Sequence, residues 1–402
     1  MKLSLQSQIK LFPLNIRKDQ KHYIVEEINS GDFFELPKMG VDAIRLIEKG
    51  ESLEKIDLEL KTKYPDSPVD LEDFVQQLLE LELIQEVDGE TVHIKTKDKV
   101  ERDYKWIPPQ VGRFFFNRLT NKIYIVLVVA NILFLIMNPQ LFPTYRDLFL
   151  FDAIMANILI WMGISLVLVL FHELGHILAV RSYDLPAKLG IGNRLFLVVF
   201  ETDLSNAWKL RSKQRNVLFF AGICFDQLML FIVFCLQFFF QHSHSLILGI
   251  LGLIVLDIFI RTIYQCCFYM KTDLYYYFEN ITGCYNLMEN SMQYLSKWLP
   301  FIKKDSSTET FDGEEKFVKI YSLFCLGGIT LTFSLFIFYF MPQAFYAYSK
   351  TLPELLQPIN NPYFWDALVF IGQSLLIAGL LLYSLIKKRM IDYSQRKVPP
   401  MT

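Results

Sequence analysis

Net charge is almost absent from this sequence. The 40 Lys and Arg residues are matched by 42 Asp and Glu, a formal balance of −2, so bulk electrostatics gives no reason to expect nucleic acid as a partner. Cysteine is scarce and poorly spaced for cross-linking. Cys224, Cys235, Cys266, Cys267 and Cys325 lie within apolar stretches, and Cys284 follows one. The adjacent Cys266 and Cys267 make neither a disulfide framework nor a CxxC metal knuckle, so the cysteines read as small apolar residues facing lipid or a reducing cytosol. The N-terminus lacks the short apolar core of a secretory signal peptide.

What is present instead is apolar bulk. Hydrophobic residues make up 52% of the 402 positions and aromatics 15%, against 20% charged, and they are unevenly spread. The first hundred residues are rich in Glu, Asp and Lys, whereas Phe, Leu and Ile dominate the remainder of the chain. The expected fold is an α-helical polytopic membrane protein with about six transmembrane helices and a small N-terminal α+β, winged-helix-like domain. Its expected organisation is a soluble domain over 1–95, a linker over 96–121, a membrane domain over 122–390 and a cytosolic tail over 391–402.

In the N-terminal domain, residues 22–28 have strand character, Asn29-Ser30-Gly31-Asp32 is a turn signal, and the strand returns at 33–36. A helix is expected over 40–49 with Gly50 as its stop. A second follows Ser52, with Leu53, Ile56 and Leu60 on one face. A third is expected to be capped by Ser67, with Pro68 as its first residue. Two strands and three short helices are too small for an enzyme with a buried cleft.

Six later segments are long enough for a hydrocarbon core of roughly 30 Å: 122–141, 153–176, 217–240, 246–270, 318–342 and 365–387. Lys and Arg cluster before the first (Arg113, Arg118, Lys122), between the second and third, between the fourth and fifth, and behind the last (Lys387, Lys388, Arg389). That alternation implies a multi-pass protein of the cell membrane with both termini cytosolic.

The chemistry concentrates in His172-Glu173-Leu174-Gly175-His176, an HExxH sequence. On a helix, positions i and i+4 share a face, so both imidazoles can hold one ion, and Glu173 can take a proton from water polarised there. Zinc would bring the pKa of such water towards 7. An accidental match is disfavoured because the motif ends an apolar run, 158–171, where three ionisable residues are costly without a function. A third ligand is then needed. By the topology above, His242 and His244 lie on the outer side, and His22 and His93 belong to the soluble domain. Asp273 arrives at the depth of His176 at the end of the fourth span and is the leading candidate; Asp203 and Asp226 stay open as alternatives. Asp257 and Arg261 have the i, i+4 spacing of a local ion pair. Two histidines at that face are too few for the His boxes of a di-iron membrane desaturase or hydroxylase, which argues against that class.

HELGH on an early span with a distant Asp resembles the site-2 protease family of intramembrane zinc metalloproteases. Lys271-Thr272-Asp273-Leu274-Tyr275-Tyr276 resembles the DGYY-type segment of its peptide-processing branch, and Thr202-Asp203-Leu204-Ser205-Asn206-Ala207-Trp208 is also similar to that branch. The resemblance covers roughly residues 120–290. It implies Zn2+ as cofactor, Asp273 as third ligand, Glu173 as the catalytic acid–base, and a sheet edge near 194–201 that takes the substrate as an added strand. Leu274 stands where the family often has Gly, and Cys267-Phe268 where it often has Asn-Pro. The N-terminal domain resembles PqqD-like peptide-recognition domains, which implies leader-peptide binding beside the strand Phe33, Phe34, Glu35 and Leu36.

Together these imply a membrane zinc endopeptidase that cuts a ribosomally made precursor peptide at the cytosolic membrane face. A peptide-modifying enzyme and an export transporter are the implied further partners beside the peptide and the bilayer. The alternative from another class is a peptide-export or immunity membrane protein with a non-catalytic metal site.

Overall fold

The structure is a computed structural model that describes residues 6–20, 22–65, 69–92, 104–194, 197–241, 245–284, 286–299 and 314–396. The chain opens with β1 (Ile9–Leu11), β2 (Leu14–Asp19), β3 (His22–Glu27) and β4 (Phe33–Leu36). Helices α1 (Lys38–Glu48), α2 (Leu53–Lys63) and α3 (Leu71–Glu80) follow, and then the hairpin β5 (Ile84–Val87) and β6 (Glu90–Thr91). Two small antiparallel sheets result, ordered β1-β5-β6 and β2-β3-β4. Period-2 alternation turns Ile16, Val25, Phe34 and Leu36 towards one core. There they meet Val41, Ile44 and Ile47 of α1, Ile56 and Leu60 of α2, and Val75 and Leu78 of α3.

Three local readings need correction. The sequence suggests two strands, and the described residues of this domain form six. β1 and β6 are too short to show an alternating pattern, but Asp88-Gly89, both at positive φ, is the Asp-Gly turn of a two-residue hairpin. Ser67 and Pro68 lie outside the described residues, yet the third helix starts later than expected. Its cap is Asp70, whose Oδ1 accepts from the Asp73 N–H at 3.0 Å. The end of the expected linker is also structured. Pro108-Pro109 opens α4 (Pro109–Phe115), and Gly112 of this helix lies so close to Leu178 and Ser182 that a Cβ there would clash with their backbone atoms.

The later elements are α5 (Arg118–Met137), α6 (Ile154–Ser182), the hairpin β7 (Lys188–Arg194) and β8 (Leu197–Asp203), α7 (Ser212–Phe239) and α8 (Ser245–Gln265). Then come α9 (Asp273–Thr282), α10 (Leu287–Ser296), α11 (Glu315–Leu335), α12 (Met341–Glu354) and α13 (Pro362–Arg396). Among the described residues, six runs are long and apolar enough to cross a bilayer: α5, α6, α7, α8, α11 with α12, and α13. The fifth was expected to stop near residue 342. It continues to Glu354 because a π turn, Phe336–Phe340, precedes Pro342. The wider turn accommodates a residue that has no N–H and crowds the carbonyl four positions back.

The chain divides into two compact units. One holds residues 1–121, 173–222 and 273–322; the other holds 122–172, 223–272 and 323–402. In the second, Leu168, Leu230, Val233, Phe234, Leu251, Val255 and Ile258 form a core, with Phe134 stacked on Phe234 at 5.6 Å. There too the Asp366 carboxylate accepts from Ile154 N at 2.7 Å and Met155 N at 2.9 Å. It satisfies the open N–H groups that begin α6.

In the first unit, the N-terminal sheet β2-β3-β4 is covered on both faces. One carries the core above. On the other, Ile24 is 2% exposed, Glu26 meets Lys209 at 3.5 Å, and Glu35 is half-buried beside His22, Glu314, Glu279 and Asp19. Burial first, and then the charges of Glu314, Glu279 and Asp19, push the Glu35 carboxyl up to about 8. A raised folded-state pKa gives stability that is whole below the ordinary value near 4.5 and is lost as pH rises through about 8. The full chain is therefore expected to melt at lower temperature at pH 8.5 than at pH 5, by a margin that Glu35→Gln reduces. Equal margins in the two chains, read by thermal unfolding in detergent, would contradict this.

Candidate metal centre

Helix α6 carries His172, Glu173 and His176 on adjoining turns. All three are buried, and their ligand atoms lie within 4.8 Å of one another, so the group can hold a metal ion. Each imidazole is fixed through Nδ1. His172 Nδ1 meets the Asp226 carboxylate at 2.8 Å, and His176 Nδ1–H donates to the Leu218 carbonyl at 2.9 Å. Such bonds set the tautomer and present Nε2 as the ligating atom.

Across from α6, α9 begins at Asp273, whose Oδ2 stands 3.4 Å from His176 Nε2. Two ligand atoms, each about 2.0–2.1 Å from a four-coordinate ion, are about 3.3 Å apart, so this separation is that of two corners of one site. The fold thus brings Asp273 next to His176. Asp226 is engaged through the other imidazole. It sits behind His172, with Arg261 at 3.5 Å from its second oxygen, and Arg261 in turn pairs with Asp257 as its spacing predicted. Asp203 is exposed on the cleft rim, and its Oδ1 accepts from Ser205 N at 2.9 Å.

Glu173 is held by a residue to which the sequence alone assigns no role. Its Oε2 accepts from the backbone N–H of Thr202 at 2.8 Å and from the Thr202 hydroxyl at 2.7 Å. Thr202 lies on β8, which pairs with β7 over the register Lys188↔Asp203 to Arg194↔Leu197. Of residues 194–201, compatible in sequence with either a strand or a surface loop, the described ones, 194 and 197–201, thus belong to this hairpin. Glu173, His176, Thr202 and Asp273 share an open cleft of about 400 Å³ with Gly190, Trp208 and Tyr276.

The strand Phe33–Leu36 forms as expected and closes one edge of its sheet, paired with β3 alone in the order β2-β3-β4. Phe34 and Leu36 point into the core and Glu35 packs against His22 on the opposite face, so the backbone edge is what this strand offers a partner. His93, His242 and His244 lie outside the described residues.

Two contributors were hidden for different reasons. Thr202 carries no local pattern that marks a contact 29 positions away. Asp366 sits in a last span in which the sequence suggested no function, yet it caps the helix that bears the motif. No family model, no curated protein and no solved structure matches the chain.

Proposed function

We propose that the chain is a membrane-embedded zinc endopeptidase of the site-2 protease kind, cutting a ribosomally made precursor peptide at the cytosolic membrane face. The observation that carries the reading is the convergence of Asp273 on His176 at 3.4 Å in an open cleft that also holds Glu173. Two imidazoles and a carboxylate are a donor set that catalytic zinc accepts, leaving one position for water or substrate. His172, His176 and Asp273 would hold the ion, and when bound it supplies a Lewis acid that polarises a peptide carbonyl and acidifies water.

The remaining steps belong to side chains. Glu173 accepts the proton of the attacking water on its carboxylate and then delivers it to the departing amine. Thr202 clamps one carboxylate oxygen throughout, which leaves the other for that traffic. The β7–β8 hairpin lines the cleft, with Gly190 keeping one position bare, and it gives an extended segment a backbone edge to pair with. Strand addition suits this chemistry because a helical substrate hides its peptide bonds. The N-terminal domain would hold the leader at the free edge of β4, by the same pairing.

The test uses the full chain purified in detergent, with zinc per chain measured beside precursor mass. One zinc per chain is expected, with cleavage that stops on chelation and returns with added zinc. A chain without zinc, or cleavage that persists after the metal is stripped, would reject the reading and leave a peptide-export or immunity protein.

A further inference from the structure

The N-terminal domain meets the cleft through one corner. The β2–β3 ladder runs as far as the pair Asp19 and His22. Gln20, the turn residue after Asp19, has φ of +50°, a region that Gly, Asn and Asp tolerate better. A Gln at this position accepts strain of order 1 kcal/mol. Its side chain is in use, however. The amide donates to the Asn280 carbonyl at 2.6 Å and to Ser212 Oγ at 2.8 Å, and its Oε1 occupies the space that a Cβ on Gly283 would need.

The two neighbouring side chains are engaged just as closely. Asp19 pairs with Arg215, which is fully buried. Arg215 Nε donates to Asn280 Oδ1 at 2.7 Å, and its guanidinium lies 4.6 Å from the centre of the Trp208 ring. Arg17 donates to the carbonyls of Trp208, Lys209 and Leu210. A charge placed among buried groups is expensive unless it is paired and hydrogen-bonded, and Asp19 supplies Arg215 with such a pairing.

Two of the parts held in this way belong to the metal cleft. Asn280 lies on α9, two turns along from Asp273, and Trp208 lines the cleft itself. We propose that Arg17, Asp19 and Gln20 are positioning residues of the metal centre. They fix the helix that presents Asp273 and the loop that presents Trp208, so the N-terminal domain is a structural part of the cleft as well as its peptide-binding module. The inference rests on the metalloprotease reading for Asp273, but not for Trp208.

The test uses the full chain in detergent with Co2+ as a spectroscopic probe, in the wild type, Asp19→Asn, Asp19→Glu and Gln20→Ala. Trp208 emission is isolated in each as the difference from the same chain carrying Trp208→Phe. Expected in Asp19→Asn and Gln20→Ala are altered cobalt ligand-field bands, affinity for Co2+ lowered by about 10-fold, and changed Trp208 emission. Asp19→Glu should restore part of each. Should Asp19→Asn fail to fold, Gln20→Ala, which removes an exposed and uncharged side chain, carries the test. Bands, affinity and emission all unchanged in a folded variant would overturn the proposal. If the wild type takes up no Co2+, the metal reading falls, and the emission arm alone decides: a change supports positioning of the cleft wall, and no change ends it.

Discussion

Glu173→Gln is expected to keep its zinc and lose cleavage by about 10²- to 10⁴-fold, the range for removing a positioned acid–base group. The substitution is nearly isosteric. A Gln carbonyl oxygen can still accept from the Thr202 N–H and hydroxyl that hold Oε2, at 2.8 and 2.7 Å in the native chain, so the side chain should remain in place. The imidazoles of His172 and His176 are fixed through Nδ1 by Asp226 and Leu218, neither of which the change touches. Only the ability to take and return a proton is removed. Precursor length followed by mass spectrometry reads the loss, and zinc per chain separates it from loss of metal. Cleavage at the native rate would show that another group moves the proton and would remove Glu173 from the mechanism.

How much of this was legible beforehand depends on the range of the interaction. His172, Glu173 and His176 share one helix, and their meeting follows from 3.6 residues per turn alone. The six long apolar runs were equally plain, because a bilayer demands length and hydropathy that few soluble helices have. Asp273 was placed by depth, an argument that fixes position along the membrane normal but not around it. Nothing local marked Thr202 as the residue clasping Glu173, or Arg215 as one buried against Asp19 from 196 positions away. Such pairs are products of packing, and sequence periodicity carries no record of them. The late start of α3 shows the same limit on a small scale. Ser67-Pro68 and Asp70 are both plausible openings, and the accepting carboxylate of Asp70 is what the fold uses.

The three candidate carboxylates should separate cleanly when each is changed to Asn in turn. Asp273→Asn is expected to give the largest loss of metal, because Asp273 is the acid whose oxygen stands at ligand spacing, 3.4 Å, from His176 Nε2. An amide there supplies neither the charge nor the basicity of a carboxylate, and cleavage should fall below detection. Asp226→Asn should weaken zinc binding by about 10- to 100-fold without abolishing it, the usual effect of losing the partner of a ligating imidazole. That change also leaves Arg261 with one fewer carboxylate, although Asp257 still pairs with it. Asp203→Asn should retain zinc at the native level, since its Oδ1 is bound to Ser205 N in a rim turn. Zinc titration against a competing chelator ranks the three. Were Asp203→Asn to lose the metal while Asp273→Asn kept it, the ion would belong to the hairpin side of the cleft, and α9 would be part of the substrate wall.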